Sequence, residues 1–172
     1  MIPQEQVQQD VLSLLEKYTG RTCVPSNTTH GKPPYPYISF SVINTQAQKG
    51  TYAKAIVQNE DGTEKEVLFK PAAQKWSFTS QSDDEAEAMG IALLVSDFFA
   101  ESRRQELADK GIVVADVGAI VPRDTLLTIE YEYRKGLDVT LLLNNVIDDV
   151  ITESIEHATL SSNAGEISVE KE

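Results

Sequence analysis

The sequence predicts an α+β fold in which a mostly antiparallel sheet has helices packed on one of its faces. Two patterns carry this prediction. Apolar residues recur at helical spacing in the opening segment and again over residues 88–100, which indicates helices. Elsewhere, apolar and polar residues alternate in short segments separated by turn residues, as in strands joined by hairpins.

The opening segment is typical of an amphipathic helix, with Gly20 placed to end it. Its apolar residues at helical spacing are Val7, Val11, Leu14, Leu15 and Tyr18. Residues 21–36 are rich in Pro, Gly, Asn, Thr and Ser. The prolines disfavour a helix, so we expect an exposed loop there. Alternation then predicts a strand over residues 37–44.

A hairpin is predicted next, with arms at residues 52–58 and 65–71. Its turn contains Asp61-Gly62, a pair favoured where the backbone takes positive φ. Aromatic and polar residues alternate over residues 75–80, which predicts one more strand before the chain turns helical.

A second long helix is predicted over residues 83–101, beginning at a capping box formed by Ser82 and Glu85. Its apolar residues lie on more than one side, so they cannot all face one sheet. We therefore expect one side to pack on the chain's own sheet. The other side, including Leu94 and Phe98, is predicted to contact a neighbouring subunit.

Three strands are predicted to complete the sheet, over residues 112–117, 125–133 and 137–143. The last two form a hairpin if Arg134-Lys135-Gly136 is a three-residue loop with Gly136 at positive φ. This register places Tyr131 opposite Val139 and puts the apolar residues of both strands on one face. A two-residue loop would lose that consistency.

Residues 1–145 are assigned to this single α+β domain. Residues 146–160 have isoleucine and valine at helical spacing, which predicts a C-terminal helix. Residues 161–172 are small, polar and acidic, which is typical of a flexible acidic tail.

The composition argues against several classes of function. The 172 residues include 27 acidic and 15 basic side chains, a net charge of −12 that repels nucleic-acid phosphates. Cys23 is the only cysteine, so an internal disulfide or a multi-cysteine metal site cannot form, as fits a reducing cytoplasm. The longest nearly uncharged stretch is too short to cross a bilayer. We expect neither specific DNA binding nor a membrane partner.

Residue types that carry catalysis are sparse. His30 and His157 are the only histidines, and they form no metal-ligand pair, nucleophile elbow or other catalytic motif. Cys23 has no histidine nearby in the sequence, which favours a half-buried thiol over a nucleophile. No glycine-rich phosphate loop is present. We predict no catalytic, cofactor-binding or metal-binding residue, and hence a protein that is not an enzyme.

One charged constellation remains. In the register above, Glu130, Glu132 and Asp138 project from the face opposite the core, with Glu132 across from Asp138. Three interpretations are open: a solvated face partly neutralised by Arg134, a divalent-metal nuclease site, or an acidic wall past which DNA slides without sticking. Nuclease sites normally add a lysine or histidine to the carboxylates. We carry forward the third interpretation, a lumen-facing acidic patch.

Residues 121–139, VPRDTLLTIEYEYRKGLDV, resemble the C-terminal strands of phage neck terminator proteins. The family's motif is led by an arginine and ends in Gly, an apolar residue, Asp and Val. The chain matches it at Arg134, Gly136, Asp138 and Val139. Arg123, Arg134 and Gly136 are taken as family-motif or interface positions. The proline-rich entry to the first strand, the Trp76-Ser77-Phe78 strand and the helix after Ser82 follow in the same order.

The resemblance implies a fold like that of tail terminator and tail-to-head joining proteins, in which six copies close into a ring. Such rings cap the tail tube, dock on the head connector and leave a passage for DNA. The implied partners are other copies of the chain, the tail tube protein and the connector or stopper protein. The implied location is the virion neck, after assembly in the host cytoplasm. Another phage morphogenesis adaptor, or a stand-alone protein-binding module outside the particle, is the alternative.

Overall fold

The computed structural model describes residues 4–27, 31–47, 53–58, 64–127, 130–150, 157–162 and 165–170. Helices and strands alternate irregularly along the chain, as expected for an α+β fold. In chain order the elements are α1 (Gln4–Thr19), β1 (Cys23–Pro25), β2 (Tyr37–Ala47), β3 (Ala53–Gln58), β4 (Glu64–Ser82), α2 (Glu85–Asp97), a π-helical turn (Phe98–Ser102), α3 (Arg104–Asp109), β5 (Ile112–Val117), β6 (Val121–Pro122), β7 (Thr125–Leu127), β8 (Glu130–Val150), β9 (His157–Ser162) and β10 (Gly165–Glu170).

An eight-stranded sheet forms the centre of the molecule. Its main path is β1-β2-β4-β8-β5, with β3 paired to β4 and both β6 and β7 paired to β8. Every pair is antiparallel except β1–β2, which confirms the predicted fold class. The short parallel strand β1 lies inside the segment that the sequence predicts to be loop only.

Two long strands, β4 and β8, are the spine of this sheet. They pair without interruption from Lys65 opposite Val150 to Ser82 opposite Tyr133. The sequence predicts two separate strands in this region, over residues 65–71 and 75–80. The structure has one strand, β4, because the residues around Ala72 continue the ladder with β8 instead of turning. The hairpin of β3 with β4 is confirmed, with Ala53 opposite Phe69. Its Asp61-Gly62 turn lies outside the described residues.

The predicted hairpin between residues 125–133 and 137–143 is wrong. Residues 130–133 of the first segment and all of the second belong to one strand, β8. The observed hairpin lies earlier in the chain, between β7 and β8, with Thr125 opposite Glu132. Gly136 has no positive φ and sits within β8, opposite Thr79. The ladder with β4 continues through Gly136, so the backbone there is extended and its N–H and C=O groups are paired between strands. A turn at this position would break that pairing.

This correction changes two predicted pairs of neighbours. Tyr131 and Val139 lie on the same strand and cannot face each other across a hairpin. Glu132 and Asp138 also share that strand, so the like-charge pair expected from sequence does not form. The predicted face is nevertheless correct. Glu132 and Asp138 are six residues apart on β8, so their side chains point to the same face, which is the one opposite the core.

The helices follow the sequence more closely. α1 ends where predicted, at Gly20 with a φ of +66°. α2 begins two residues later than the predicted capping box, because Asp84 is the N-cap and its side chain accepts a hydrogen bond from the Glu87 backbone N–H at 2.8 Å. Among the described residues, no helix is both long and apolar enough to cross a membrane.

The hydrophobic core lies between the helices and one face of the sheet. It is a single cluster that draws alternate residues from β2, β4, β5 and β8 and the inner sides of the helices. Its largest fully buried members are Trp76, Phe78, Phe98, Phe99, Leu15, Ile38, Leu107, Ile112, Leu137, Leu141 and Leu143. The rings of Phe78 and Phe99 lie 5.0 Å apart, which joins the sheet to the π-helical turn.

The C-terminal region contains strands where the sequence predicts a helix and a flexible tail. β8 continues to Val150, and β9 pairs with β10 as a separate two-stranded sheet. The predicted helix over residues 146–160 is therefore wrong for its described parts. Its isoleucines and valines are β-branched, and β4 offers a ladder opposite residues 146–150, so strand pairing overrides the short helical spacing.

Candidate functional site

The face of the sheet that points away from the core is polar, and we call it the polar face. Its residues come from the three central strands in matching register: Tyr37, Ser39 and Ser41 on β2, Ser77, Thr79 and Gln81 on β4, and Arg134, Gly136 and Asp138 on β8. The motif residues Arg123, Arg134, Gly136 and Asp138 meet on or above this face, whereas Val139 points into the core. Two short segments cover part of it, residues 31–36 and residues 121–124.

Arg123 reaches from the second of these segments onto the polar face. Its Nη1 donates to Ser77 Oγ at 2.6 Å and to Thr79 Oγ1 at 2.9 Å, and its Nη2 donates to Asp138 Oδ1 at 2.9 Å. The Arg123 backbone N–H also donates to the carbonyl of Arg134 at 2.7 Å. Both the backbone and the side chain of Arg123 therefore fix this segment on β8.

Gly136 makes room for that arginine. A Cβ added at Gly136 would lie 2.6 Å from the Cζ and Nε atoms of Arg123, closer than any ordinary contact. The sequence prediction gave this glycine a turn with positive φ, but the structure assigns it a different role. It is a close-approach glycine, which leaves space above the strand for a guanidinium.

Glu132 forms a second charged centre beside the first. Its carboxylate accepts hydrogen bonds from Tyr35 Oη at 2.6 Å and Lys32 Nζ at 3.1 Å, and it forms an ion pair with Arg134. The side chain is only 1% exposed. Tyr35 and Lys32 belong to the proline-rich segment, so this one buried carboxylate holds that segment against the sheet.

The two carboxylates of the polar face are both held in the charged form. Burial would raise the pKa of Glu132, but hydrogen bonds from Tyr35, Arg134 and Lys32 outweigh it and lower that pKa. The pKa of Asp138 is lowered too, because hydrogen bonds from Arg123, Ser77 and Lys75 outweigh the opposing effect of its burial. Each carboxylate is thus neutralised by at least two cations.

Lys135 points to the helix side of β8 and ties the site to α2. Its buried Nζ lies 3.0 Å from Asp124 Oδ2 and 3.1 Å from Glu85 Oε1. Hydrogen bonding to Asp124 is the main cause of a raised pKa at Lys135. Asp124 also accepts the Arg134 backbone N–H at 2.8 Å. The Arg123-Asp124 pair therefore anchors both faces of the same strand.

A cleft of about 290 Å³ opens between the polar face and residues 24–26 and 32–33. Three cationic side chains line it, Lys32, Arg123 and Arg134, together with hydroxyl groups that include those of Ser39 and Thr79. No carboxylate is among its described lining residues. Locally, this acidic chain therefore presents a positively charged cleft.

The predicted acidic patch is not an open acidic wall. Glu132 is buried and paired, Asp138 is paired with Arg123 and with Lys75 Nζ at 3.3 Å, and the Glu130 side chain lies outside the described residues. The structure does bring Arg123, Arg134 and Gly136 together, as the motif suggests. Lys32 and Tyr35 were not identified from the sequence, since nothing in a proline-rich loop signals a partner about a hundred residues away.

The two predicted interface positions, Leu94 on α2 and Phe98 in the π-helical turn, differ in burial. Phe98 is fully buried in the chain's own core, so its assignment to a subunit interface is wrong. Leu94 is 39% exposed, and it lies on an exposed apolar stripe with Met89 and Leu93. The excess apolar character of this helix is therefore divided between the core and one outward side.

The residues considered for catalysis do not assemble into a reactive centre in the described part of the chain. Burial and, to a lesser extent, Glu16 raise the pKa of the Cys23 thiol to about 12, which keeps it protonated. His30 and the side chain of His157 lie outside the described residues. No group of three metal-ligating side chains is found among the residues described.

Comparison with known proteins identifies the family. A search of curated proteins found no match. The sequence model of the family described as phage neck terminator protein matches residues 7–167. This range includes the whole eight-stranded sheet, the helices except for the first three residues of α1, and the arginine–glycine motif of the polar face. The chain therefore belongs to the phage neck terminator protein family, and it is a structural, non-enzymatic component of the virion neck that interacts with phage tail and head components.

Proposed function

We propose that six copies of the chain close into a ring that ends the tail tube and joins it to the head connector. The observation that carries the proposal is the exposed stripe on α2. Its members are Ala86, Met89, Gly90, Leu93 and Leu94, which lie on one side of the helix. Contiguous apolar surface of this kind marks an interaction site in a soluble protein.

A second exposed apolar surface supports a head-to-tail arrangement. Leu126 and Tyr131 pair across the β7–β8 hairpin, and they are 69% and 52% exposed. Two different patches on one chain fit a heterologous interface, in which each copy uses one patch toward each neighbour, and such an interface closes into a ring when the rotation allows. We assign the α2 stripe of one copy to the hairpin patch of the next.

The neighbours of the ring along the tail axis are the tail tube protein on one side and the connector or stopper protein on the other. DNA passes through the centre without specific binding. This follows from the net charge of −12, which repels phosphates. The carboxylates of the polar face do not supply that repulsion, because Lys32, Lys75, Arg123 and Arg134 neutralise them.

Electron microscopy of phage particles that lack the chain tests this function. We expect free heads together with unattached tails of irregular length, because nothing ends the tube or joins it to the connector. Supplying the parent chain should restore whole particles, and supplying the Leu94→Glu variant should not. Normal particles without the chain would refute the proposal and favour an adaptor that acts outside the virion.

A further inference from the structure

The positively charged cleft on the polar face is a site that the ring proposal leaves without a role. Its cations still have hydrogen-bonding capacity. Each guanidinium carries five N–H donors, and Glu132 receives two of those from Arg134 through Nε and Nη2. Arg123 donates hydrogen bonds to described residues through Nη1 and Nη2, which leaves its Nε–H for another acceptor. Lys32 is about half exposed. Each of the three cations therefore keeps at least one N–H donor for a further carboxylate.

The chain also contains an acidic C-terminal segment whose described strands, β9 and β10, pair with each other. Residues 151–172 hold five glutamates and one lysine. The described part of this segment, β9 and β10, forms a separate two-stranded sheet. An isolated two-stranded hairpin is marginally stable in water, so contact with another surface would stabilise it.

The segment cannot reach the cleft of its own chain. β8 runs from Arg134 beside the cleft to Val150, and at the usual rise per residue these ends are about 50 Å apart. From Val150 to His157 an extended chain spans roughly 25 Å at most. Glu166 lies opposite Ser161 in the hairpin, at most about 13 Å beyond His157, so even this glutamate stays roughly 10 Å short of its own cleft.

We propose that the cleft binds the acidic C-terminal segment of a second copy of the chain, with its glutamates on Lys32, Arg123 and Arg134. This inference rests on the proposed ring, in which a neighbour brings its segment within reach. Charge selects this occupant, because the cleft is positive and the segment is negative. Each subunit would then hold its neighbour at a point apart from the apolar interface, and the contact would weaken at high salt.

The reactivity of Lys32 toward an acetylating reagent, read by mass spectrometry on the full chain, tests the contact. The probe is a synthetic peptide of residues 151–172, and the control peptide has glutamine in place of all five glutamates. We expect the acidic peptide to slow acetylation of Lys32 at least tenfold. The control peptide should have little effect, and the exposed Lys17 should react equally in all samples. A 20-base-pair DNA duplex is the competing probe, and protection by DNA but not by the peptide would overturn the inference.

A variant of the full chain separates this contact from the ring itself. It replaces five glutamates of the segment with glutamine: Glu153, Glu156, Glu166, Glu170 and Glu172. The matched control neutralises five acidic residues elsewhere whose side chains are solvent-accessible: Glu5, Glu101, Glu106, Asp109 and Asp116. We expect the first variant to need at least tenfold more protein to assemble than the control. If both assemble like the parent and the peptide does not protect Lys32, the inference is wrong while the ring stands. If the parent never forms a ring in the neck, the proposed function itself fails.

Discussion

The guanidinium of Arg123 lies directly above the Cα of Gly136, where an added Cβ would come within 2.6 Å of its Cζ atom. Arg123 cannot simply swing away, because Ser77, Thr79 and Asp138 hold it. The two family-motif positions are therefore coupled sterically. The glycine is needed because the arginine is there.

Gly136→Ala should therefore destabilise the fold by about 1 to 3 kcal/mol, the usual cost of forcing extra volume into a packed site. In an Arg123→Ala background the same change should cost almost nothing, since the space is then open and the backbone is ordinary strand. Urea unfolding of the four proteins in this double-mutant cycle measures the coupling.

Gly90→Ala on the exposed side of α2 is the matched control, because a Cβ there meets nothing within 4 Å. It should leave stability unchanged or raise it by up to about 1 kcal/mol. A Gly136→Ala cost that persists without Arg123 would contradict the steric explanation.

Glu132→Gln should destabilise the fold by about 2 to 4 kcal/mol, because it leaves Arg134 without its buried charged partner. The proline-rich segment should also loosen, since Lys32 and Tyr35 are held by the same carboxylate. Urea unfolding measures the first effect, and backbone hydrogen exchange over residues 31–36 measures the second.

Glu106→Gln serves as the control for that change, because Glu106 forms an ion pair with Arg103 on the surface of α3. Exposed pairs contribute little, so the loss should stay below about 0.5 kcal/mol. Equal losses in the two variants would show that the Glu132 cluster has no special role in the fold.

Stability should fall in acid because of Glu132, Asp138 and Asp124, whose pKa values are all lowered in the fold. A carboxyl with a lowered folded pKa binds more protons when unfolded, so its contribution is complete above the unfolded pKa and is lost as the pH falls through the folded value. The loss should begin near pH 4.5, the ordinary value for a glutamate. Urea midpoints measured from pH 7 to pH 2.5 should show it, and Glu132→Gln should reduce the slope. An identical slope in that variant would exclude Glu132 as a cause.

Leu94→Glu and Leu126→Glu should each prevent self-assembly without lowering stability, because both side chains are exposed in the single chain. An equimolar mixture of the two should form dimers but no rings, since each variant keeps one of the two patches and only one intact interface can form. Native mass spectrometry distinguishes these species. Ile43→Glu, another exposed site, is the control and should assemble like the parent. Rings in the mixture would contradict the head-to-tail assignment.

The sequence predicted well those elements whose signals are local. α1 has a helical spacing and a glycine stop, and β5 spans residues 112–117 as predicted. The alternation over residues 37–44, 75–80 and 137–143 also placed the core and polar faces correctly, whereas Tyr131, predicted on the packed face, is 52% exposed. These patterns depend only on neighbouring residues, so they can be read without knowledge of the tertiary contacts.

The arrangement around Gly136 could not be predicted in the same way. A glycine between two alternating segments fits a turn as well as a close approach, and only the ladder between β4 and β8 distinguishes them. The hydrogen-bond partners of Glu132 could not be predicted either, because Lys32 and Tyr35 lie in a loop with no regular sequence pattern and far from Glu132 in the chain. The motif was visible in the sequence, but its role depends on contacts between distant segments.

Cryo-electron microscopy of the phage neck tests the central claim most directly. We predict a ring of six copies between the tail tube and the connector, with the α2 stripe around Leu94 packed against the hairpin of Leu126 and Tyr131 in the adjacent copy. An open central channel should remain for DNA. Absence of the chain from the neck, or a neck ring whose subunits meet through neither surface, would contradict the account.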